Sequence, residues 1–309
     1  MFSPKDFIET AEGLLFAVVN PHPEQGKVLC FLRYVNIERL WRKQATDEAN
    51  AFLRRNHPHY LHYSPVLDAR LHAVDIERIV RHHRPQDRLR HIMRQSRYDP
   101  VERDVVELCG LLRQQGVDLN RIGITGSVLV GVQKESSDID LVCYGGEAFH
   151  RCRAGVRALI EQDRLQDLSD SNWQASYHRR NCSLSFEEYI WHEKRKYNKA
   201  LVNGRKFDLS LIEPNESDRQ QHYQKLEPVT LTCRITDDTQ AFGYPSIYRI
   251  EHDSIAAIVC FTATYAGQAF KGETVEVAGM LERNAEGVRH IVVGSSREAH
   301  GEHIRVIHG

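Results

Sequence analysis

A chain of 309 residues exceeds the roughly 100 to 200 of a typical domain, so two or three domains with an ample core are expected. Its 41 basic and 42 acidic side chains leave a formal charge of -1, which excludes a nucleic-acid binder acting through overall charge and leaves only a local basic patch. No apolar run approaches the roughly 20 residues that cross a bilayer, the first residues carry no signal-peptide pattern, and seven cysteines lack any Cys-x-x-Cys spacing; a cytoplasmic protein with reduced thiols and no membrane partner is expected.

Residues 14–19 and 27–35 are strand-like and are separated by Pro21, Pro23 and Gly26, which predicts a β-hairpin. Residues 37–98 are richer in Arg, His and Glu, with helix-like stretches at 46–55 and 75–95 broken by Pro58, Pro65 and Pro85. A hairpin followed by a helical cover is therefore expected over 1–98. Seven of the 17 histidines fall between 57 and 91, but no cysteine or zinc-type spacing accompanies them, so they read as surface or core residues.

Asp99, Pro100 and Glu102 combine an N-cap, a first-turn proline and a capping box, and Val101, Val105, Leu108 and Leu112 form an apolar stripe behind them, with Gly116 as a stop. A strand at 121–125, a short helix at 127–132, a strand at 138–144 and a helix at 147–162 follow. Ser185 and Glu188 form a second capping box. It leads into the most basic stretch, Lys194, Arg195, Lys196, Lys199, Arg205 and Lys206, the candidate nucleic-acid contacts, with Trp191 and Tyr197 available for stacking. After the turn at Asn203 and Gly204, residues 206–212 read as a strand around Asp208. Beyond Pro214 the texture changes to short β-branched runs at 230–235, 246–250, 255–264, 273–281 and 289–293. The expected organisation is an N-terminal region 1–98, a catalytic domain 99–215 and a C-terminal β domain 227–309, whose segment from Gly272 to Gly294 is similar in texture to small barrels of the oligonucleotide-binding fold.

The chemistry concentrates in residues 122–144. Asp138 and Asp140, one residue apart on a strand, point to one face and can share a metal ion. Gly126 and Ser127, closing one strand and opening a short helix, offer N–H groups and a hydroxyl to a phosphate. Phosphoryl transfer needs charge neutralised and an acceptor oxygen held in line, which two Mg²⁺ ions about 3.5 to 4 Å apart accomplish. Asp138, Asp140 and Asp208 form a suitable oxygen ligand set if their strands are neighbours.

Gly126-Ser127 with Gly131, a spacer of ten residues between Ser127 and Asp138 that ends in Ser137, the apolar-flanked Asp138-Ile139-Asp140-Leu141, and the later Asp208 between apolar residues resemble the signature of the DNA polymerase beta-like nucleotidyltransferase superfamily. The resemblance spans about 100–213 and implies an α+β fold with a nucleotidyltransferase-type mixed sheet. It also implies that Gly126 and Ser127 hold a nucleoside triphosphate, that Asp138 and Asp140 bind two Mg²⁺ ions (or Mn²⁺ in their place), and that Asp208 completes the metal set and helps activate the acceptor hydroxyl. Val128, Leu129 and Val130 depart from the polar residue that small members often carry after Gly-Ser. The expected activity is Mg²⁺-dependent transfer of a nucleoside monophosphate to a hydroxyl, with an RNA or other nucleic-acid end favoured as acceptor. The alternatives are a protein-modifying nucleotidyltransferase and a non-catalytic nucleotide- or RNA-binding regulator.

Overall fold

Short, nearly continuous apolar runs near the N-terminus build a sheet larger than the expected hairpin. In the computed structural model, which describes residues 1–65, 69–213, 223–295 and 299–307, the chain is a mixed α+β protein. It divides into two compact units, Met1–Ala148 with Val202–Leu209, and Phe149–Leu201 with Ser210–Gly309. Among the described residues, no helix is long and apolar enough to cross a membrane.

In the first unit, β1 (Phe7–Thr10), β2 (Leu14–Val18), β3 (Lys27–Ile37) and β4 (Leu40–Lys43) precede α1 (Thr46–Asn56). They are followed by β5 (Leu61–Ser64), β6 (Ala69–Asp75), β7 (Ile79–His83) and α2 (Pro85–Arg94). β2 and β3 pair antiparallel, the hairpin read from the sequence. They are the middle of a seven-stranded sheet ordered β5-β6-β3-β2-β1-β7, with β4 on β3.

Residues 37–98 hold α1 at the expected 46–55 and α2 in the second half of the expected 75–95, but β4 to β7 add strands that the helical reading did not include, and the histidines explain why. His72 is buried in β6, where Nδ1 accepts from Leu32 N at 2.9 Å and Nε2 meets Asn50 Oδ1 at 2.9 Å; burial pushes its pKa down to about 4, so it is neutral. On β7, His82 lies 2.7 Å from Asp6 and His83 3.1 Å from Glu9, while His62 lies 3.1 Å from Glu24. These imidazoles pair with side chains of other segments, which a reading of local polarity cannot see.

α3 (Pro100–Gln114) starts as its sequence predicts. Asp99 Oδ1 accepts from Glu102 N at 2.8 Å and Asp99 N donates back to Glu102 at 3.3 Å, and the stripe from Val101 to Leu112 is buried. Next come β8 (Ile122–Thr125), α4 (Gly126–Leu129) and β9 (Ile139–Tyr144), and then α5 (Gly146–Glu161). α2 packs directly on β8: a Cβ on Gly123 would lie 2.6 Å from Pro85 Cβ, so only glycine allows this approach.

Leu129 buries against Phe7, Leu15 and Tyr34, and Val130 and Val132 pack on the same cluster with Ala17 and Trp41. Leu129 and Val130, two of the three apolar residues after Gly126-Ser127, are therefore where the chain seats on the N-terminal sheet. Leu129→Ala is expected to cost about 2 to 4 kcal/mol, read as a lower urea midpoint at unchanged slope.

The second unit carries α6 (Asp170–Arg180), α7 (Phe186–Lys194) and most of β10 (Lys199–Val202). The following β11 (Arg205–Ile212) has Arg205 to Leu209 in the first unit. The second unit continues with β12 (Tyr223–Gln240), β13 (Ser246–Glu251), β14 (Ala257–Cys260), β15 (Thr274–Asn284), β16 (Arg289–Val293) and β17 (His303–Val306). Strand order is β12-β13-β14-β16-β15-β17, and β12 also pairs β15. Ile235, Tyr248, Ile258, Val275 and Ile291 from these strands share one core with Trp173, Leu184 and Tyr189, so the C-terminal strands bury their apolar face together with α6 and α7. The composition change at Pro214 lies outside the described residues.

Candidate active site

The site grows from the alternation of side chains on neighbouring strands. Ile139 and Leu141 of β9 and Phe207 and Leu209 of β11 are buried, which turns Asp140 and Asp208 to the opposite face, with Asp138 at the mouth of β9. β9 lies between β8 and β11 in the sheet. Thr125 stands opposite Asp140 in the antiparallel β8–β9 ladder, so the turn at Gly126 starts beside that carboxylate.

Gly126 has φ +68°, and a Cβ placed on it would overlap the Asp140 carboxylate. The backbone conformation favours glycine, and the close approach sets the proposed phosphate turn against the proposed metal ligand. Ser127 follows as the second residue of α4.

The three aspartates act on one another. The Asp140 carboxyl is pushed up to about 6, first by burial and then by the charges of Asp208 and Asp138, against the lowering effect of Lys5 and Lys206. Lys206 Nζ lies 2.9 Å from Asp208 Oδ2 and 3.4 Å from Asp138 Oδ2. Among the described residues no group of three or more His, Cys, Asp or Glu side chains is arranged to hold a metal ion, which agrees with the Lys206 ammonium standing between Asp138 and Asp208. The donors are nonetheless the hard oxygens that Mg²⁺ selects, and the half-buried Asp140 carboxylate makes no hydrogen bond or ion pair with a described residue.

Lys5 was not foreseen. Its φ of +73° is sparsely populated for lysine, and its peptide is held by its N–H to Val18 O at 3.0 Å and by Thr125 Oγ1 donating to its O at 2.7 Å. An isolated lysine before a strand carries no local signal; its charge bears on Asp140 only through the tertiary fold.

A protein of Methanocaldococcus jannaschii described as uncharacterised is 33% identical to this chain over 335 aligned residues, which take in 98% of each chain. The chain belongs to that protein's family. No family model matches it, and no solved structure does.

The basic stretch does not form an open basic face. Lys196 is 1% exposed, its Nζ donating to Glu193 at 2.6 Å and to Thr264 O at 3.0 Å, so it is no surface contact. Lys199 pairs with the same Glu193, and the Arg195 guanidinium pairs with Glu273 while lying 4.2 Å over the Trp191 ring. Lys194 lies 3.4 Å from Asp167 and, at 50% exposed, remains the most accessible of these second-unit cations. In the first unit, Lys206 joins the carboxylates and Arg205 braces the loop ahead of Asp138. Arg205 donates to Asp104 at 2.6 Å, to Ser137 O at 2.8 Å and to Glu135 O. Counting charges along the sequence missed acidic partners supplied from elsewhere in the fold.

Arg205→Met leaves Asp104 and two loop carbonyls without this donor. It is expected to destabilise the protein by about 3 kcal/mol in urea melts, because a largely buried carboxylate loses its cation.

Proposed function

We propose that the chain is a Mg²⁺-dependent nucleotidyltransferase of the DNA polymerase beta-like kind, moving a nucleoside monophosphate from a triphosphate to an acceptor hydroxyl. The observation that carries the reading is the apposition of Gly126 and Asp140: a left-handed glycine turn abuts a carboxylate that makes no hydrogen bond or ion pair with a described residue and feels two further carboxylates. In this reading Asp138 and Asp140 hold the metal, and Gly126 and Ser127 hold the β and γ phosphates. Bound Mg²⁺ supplies charge neutralisation on the phosphates and acidifies the acceptor hydroxyl. Asp208 takes the acceptor proton, the acceptor oxygen bonds to the α phosphorus, the bond from that phosphorus to the leaving oxygen breaks, and pyrophosphate departs.

The acceptor is read as a nucleic-acid end. Support comes from β12 to β16, whose pairings run β12-β13-β14-β16-β15 and return to β12, with β14 and β16 parallel; we take this as a small barrel of the oligonucleotide-binding type. The internally paired basic stretch favours the second reading, a protein hydroxyl as acceptor. The regulator reading loses most of its motive, since Leu129 and Val130 are apolar where they pack on the N-terminal sheet.

Incubation with α-labelled nucleoside triphosphates and Mg²⁺, separately with total RNA and total protein, tests this. Label entering RNA, and absent in EDTA, is the expected result. Label in protein moves the acceptor to the second reading, and nucleotide binding without transfer overturns the enzymatic one.

A further inference from the structure

We propose that the outer face of α2, with the arginines that flank it, docks the phosphate backbone of the acceptor nucleic acid. The proposal rests on the nucleic-acid acceptor read above and supplies the surface that the internally paired basic stretch does not.

Between Arg78 and Tyr98 the chain carries seven arginines and one acidic residue, Asp87. Helical periodicity sorts those on α2 into two faces. Pro85, Leu89 and Ile92 are buried, and Arg88 on their side is tied down, its Nε donating to Val128 O at 2.9 Å and its Nη2 to Glu102 Oε1 at 2.8 Å. Asp87, Arg90, His91 and Arg94, at i, i+3, i+4 and i+7, are exposed on the other face and line a shallow concavity. Arg90 pairs with Asp87, which occupies the one acid. Arg84 before the helix, Arg94 in its last turn and Arg97 beyond it are exposed, and their side chains make no hydrogen bond or ion pair with a described residue. Permanent positive charge is thus left open to solvent here, in a chain whose formal charge is only -1.

The same unit holds the candidate site, and α2 is fixed to its scaffold. The close approach at Gly123 seats α2 on β8, the strand that ends at the Gly126 turn, and Arg88 grips a carbonyl of α4. Past the helix, Asp99 accepts from Gln133 Nε2 at 2.7 Å, so the segment carrying Arg97 leads to a contact with the loop ahead of Asp138.

The chemistry of the face selects phosphate. Its cations are arginines, with no lysine between Arg78 and Tyr98, and a guanidinium offers paired N–H donors to phosphate oxygens while keeping its charge. A membrane surface would require apolar side chains on the outer face, whereas Leu89 and Ile92 are 2% and 0% exposed and turned inward.

Fluorescence anisotropy of a short labelled single-stranded RNA, titrated with the full chain between about 50 and 200 mM salt, tests this without turnover. Arg84→Gln, Arg94→Gln and Arg97→Gln together should weaken binding by about thirtyfold or more at the low-salt end. They should also reduce the slope of log affinity against log salt by about 2, the loss of three single-strand phosphate contacts at about 0.7 each. Arg54→Gln, Arg55→Gln and Arg113→Gln together remove the same charge from exposed positions on α1 and α3 and should stay within about threefold of the wild type. Circular dichroism checks folding, and if the α2 triple variant does not fold, Arg94→Gln alone should lower the slope by about 0.7.

No RNA binding by the wild type, equal binding by the wild type and the α2 variant, or an equal loss in the α1 and α3 variant overturns the proposal. Binding to phosphatidylserine vesicles or to polyglutamate that matches the affinity for RNA and is lost in the α2 variant overturns it in favour of a membrane or an acidic protein. Label entering RNA undiminished in the α2 variant overturns the docking surface and leaves the nucleotidyltransferase reading standing. RNA binding lost as expected, with no label entering RNA from the wild type, leaves the docking surface standing and overturns the acceptor reading.

Discussion

Asparagine in place of Asp140 is expected to slow nucleotidyl transfer by about a thousandfold or more while making the metal-free protein more stable. The two effects have one cause. Asp140 holds its charge among like charges, with burial and the carboxylates of Asp208 and Asp138 raising its pKa from 3.8 to about 6. The unfolded chain releases this proton near pH 3.8 and the folded chain near pH 6, so between those values the folded state binds more proton. Stability from this group therefore falls as pH rises through that window, by about 1 to 3 kcal/mol after solvent screening, and stays lower above it. Thermal melts in EDTA should show the wild type losing several degrees across the window, and Asp140→Asn should lack that component and melt about 2 to 6 °C higher near neutral pH. A variant that melts lower than wild type near neutral pH would contradict the like-charge account.

The second large effect belongs to Gly126. Alanine there meets two separate costs, a left-handed backbone at φ +68° and a Cβ that overlaps the Asp140 carboxylate. The backbone cost is about 1 to 2 kcal/mol. The overlap is with the end of a side chain, which can swing aside, so it displaces the carboxylate more than it unfolds the protein. A displacement near 1 Å at a reacting centre costs about a hundredfold in rate. Gly126→Ala should therefore unfold at modestly lower urea yet transfer about a hundredfold more slowly, with Mn²⁺ binding weakened in parallel. Full activity at the lowered stability would show that the turn and the carboxylate do not need to touch.

Helix starts were easily legible because their signals are local: Asp99, Pro100 and Glu102 lie within four positions and satisfy each other's backbone groups. The same holds for Ser185 and Glu188 at α7. The N-terminal sheet was only half legible. β2 and β3 are dominated by apolar residues, whereas β6 places a histidine in the core and β7 carries Arg81, His82 and His83, so polarity there tracks partners such as Asn50, Asp6 and Glu9 that are distant in sequence. Leu129 and Val130 posed the converse problem. They looked out of place beside a phosphate turn because the sheet that covers them, with Phe7, Leu15 and Tyr34, is built more than ninety residues earlier.

By itself the sequence determined the alternation that turns Asp138, Asp140 and Asp208 away from Ile139, Leu141, Phe207 and Leu209, since strand geometry sends successive side chains to opposite faces. It also determined that a glycine precedes Ser127 where the chain leaves β8. Only the tertiary structure decided which charges those aspartates meet. Charge pairing depends on separations of a few ångströms between segments far apart along the chain, and folding alone brings Lys5 to Asp140, lets Lys206 bridge Asp138 and Asp208, and closes Glu193 around Lys196 and Lys199.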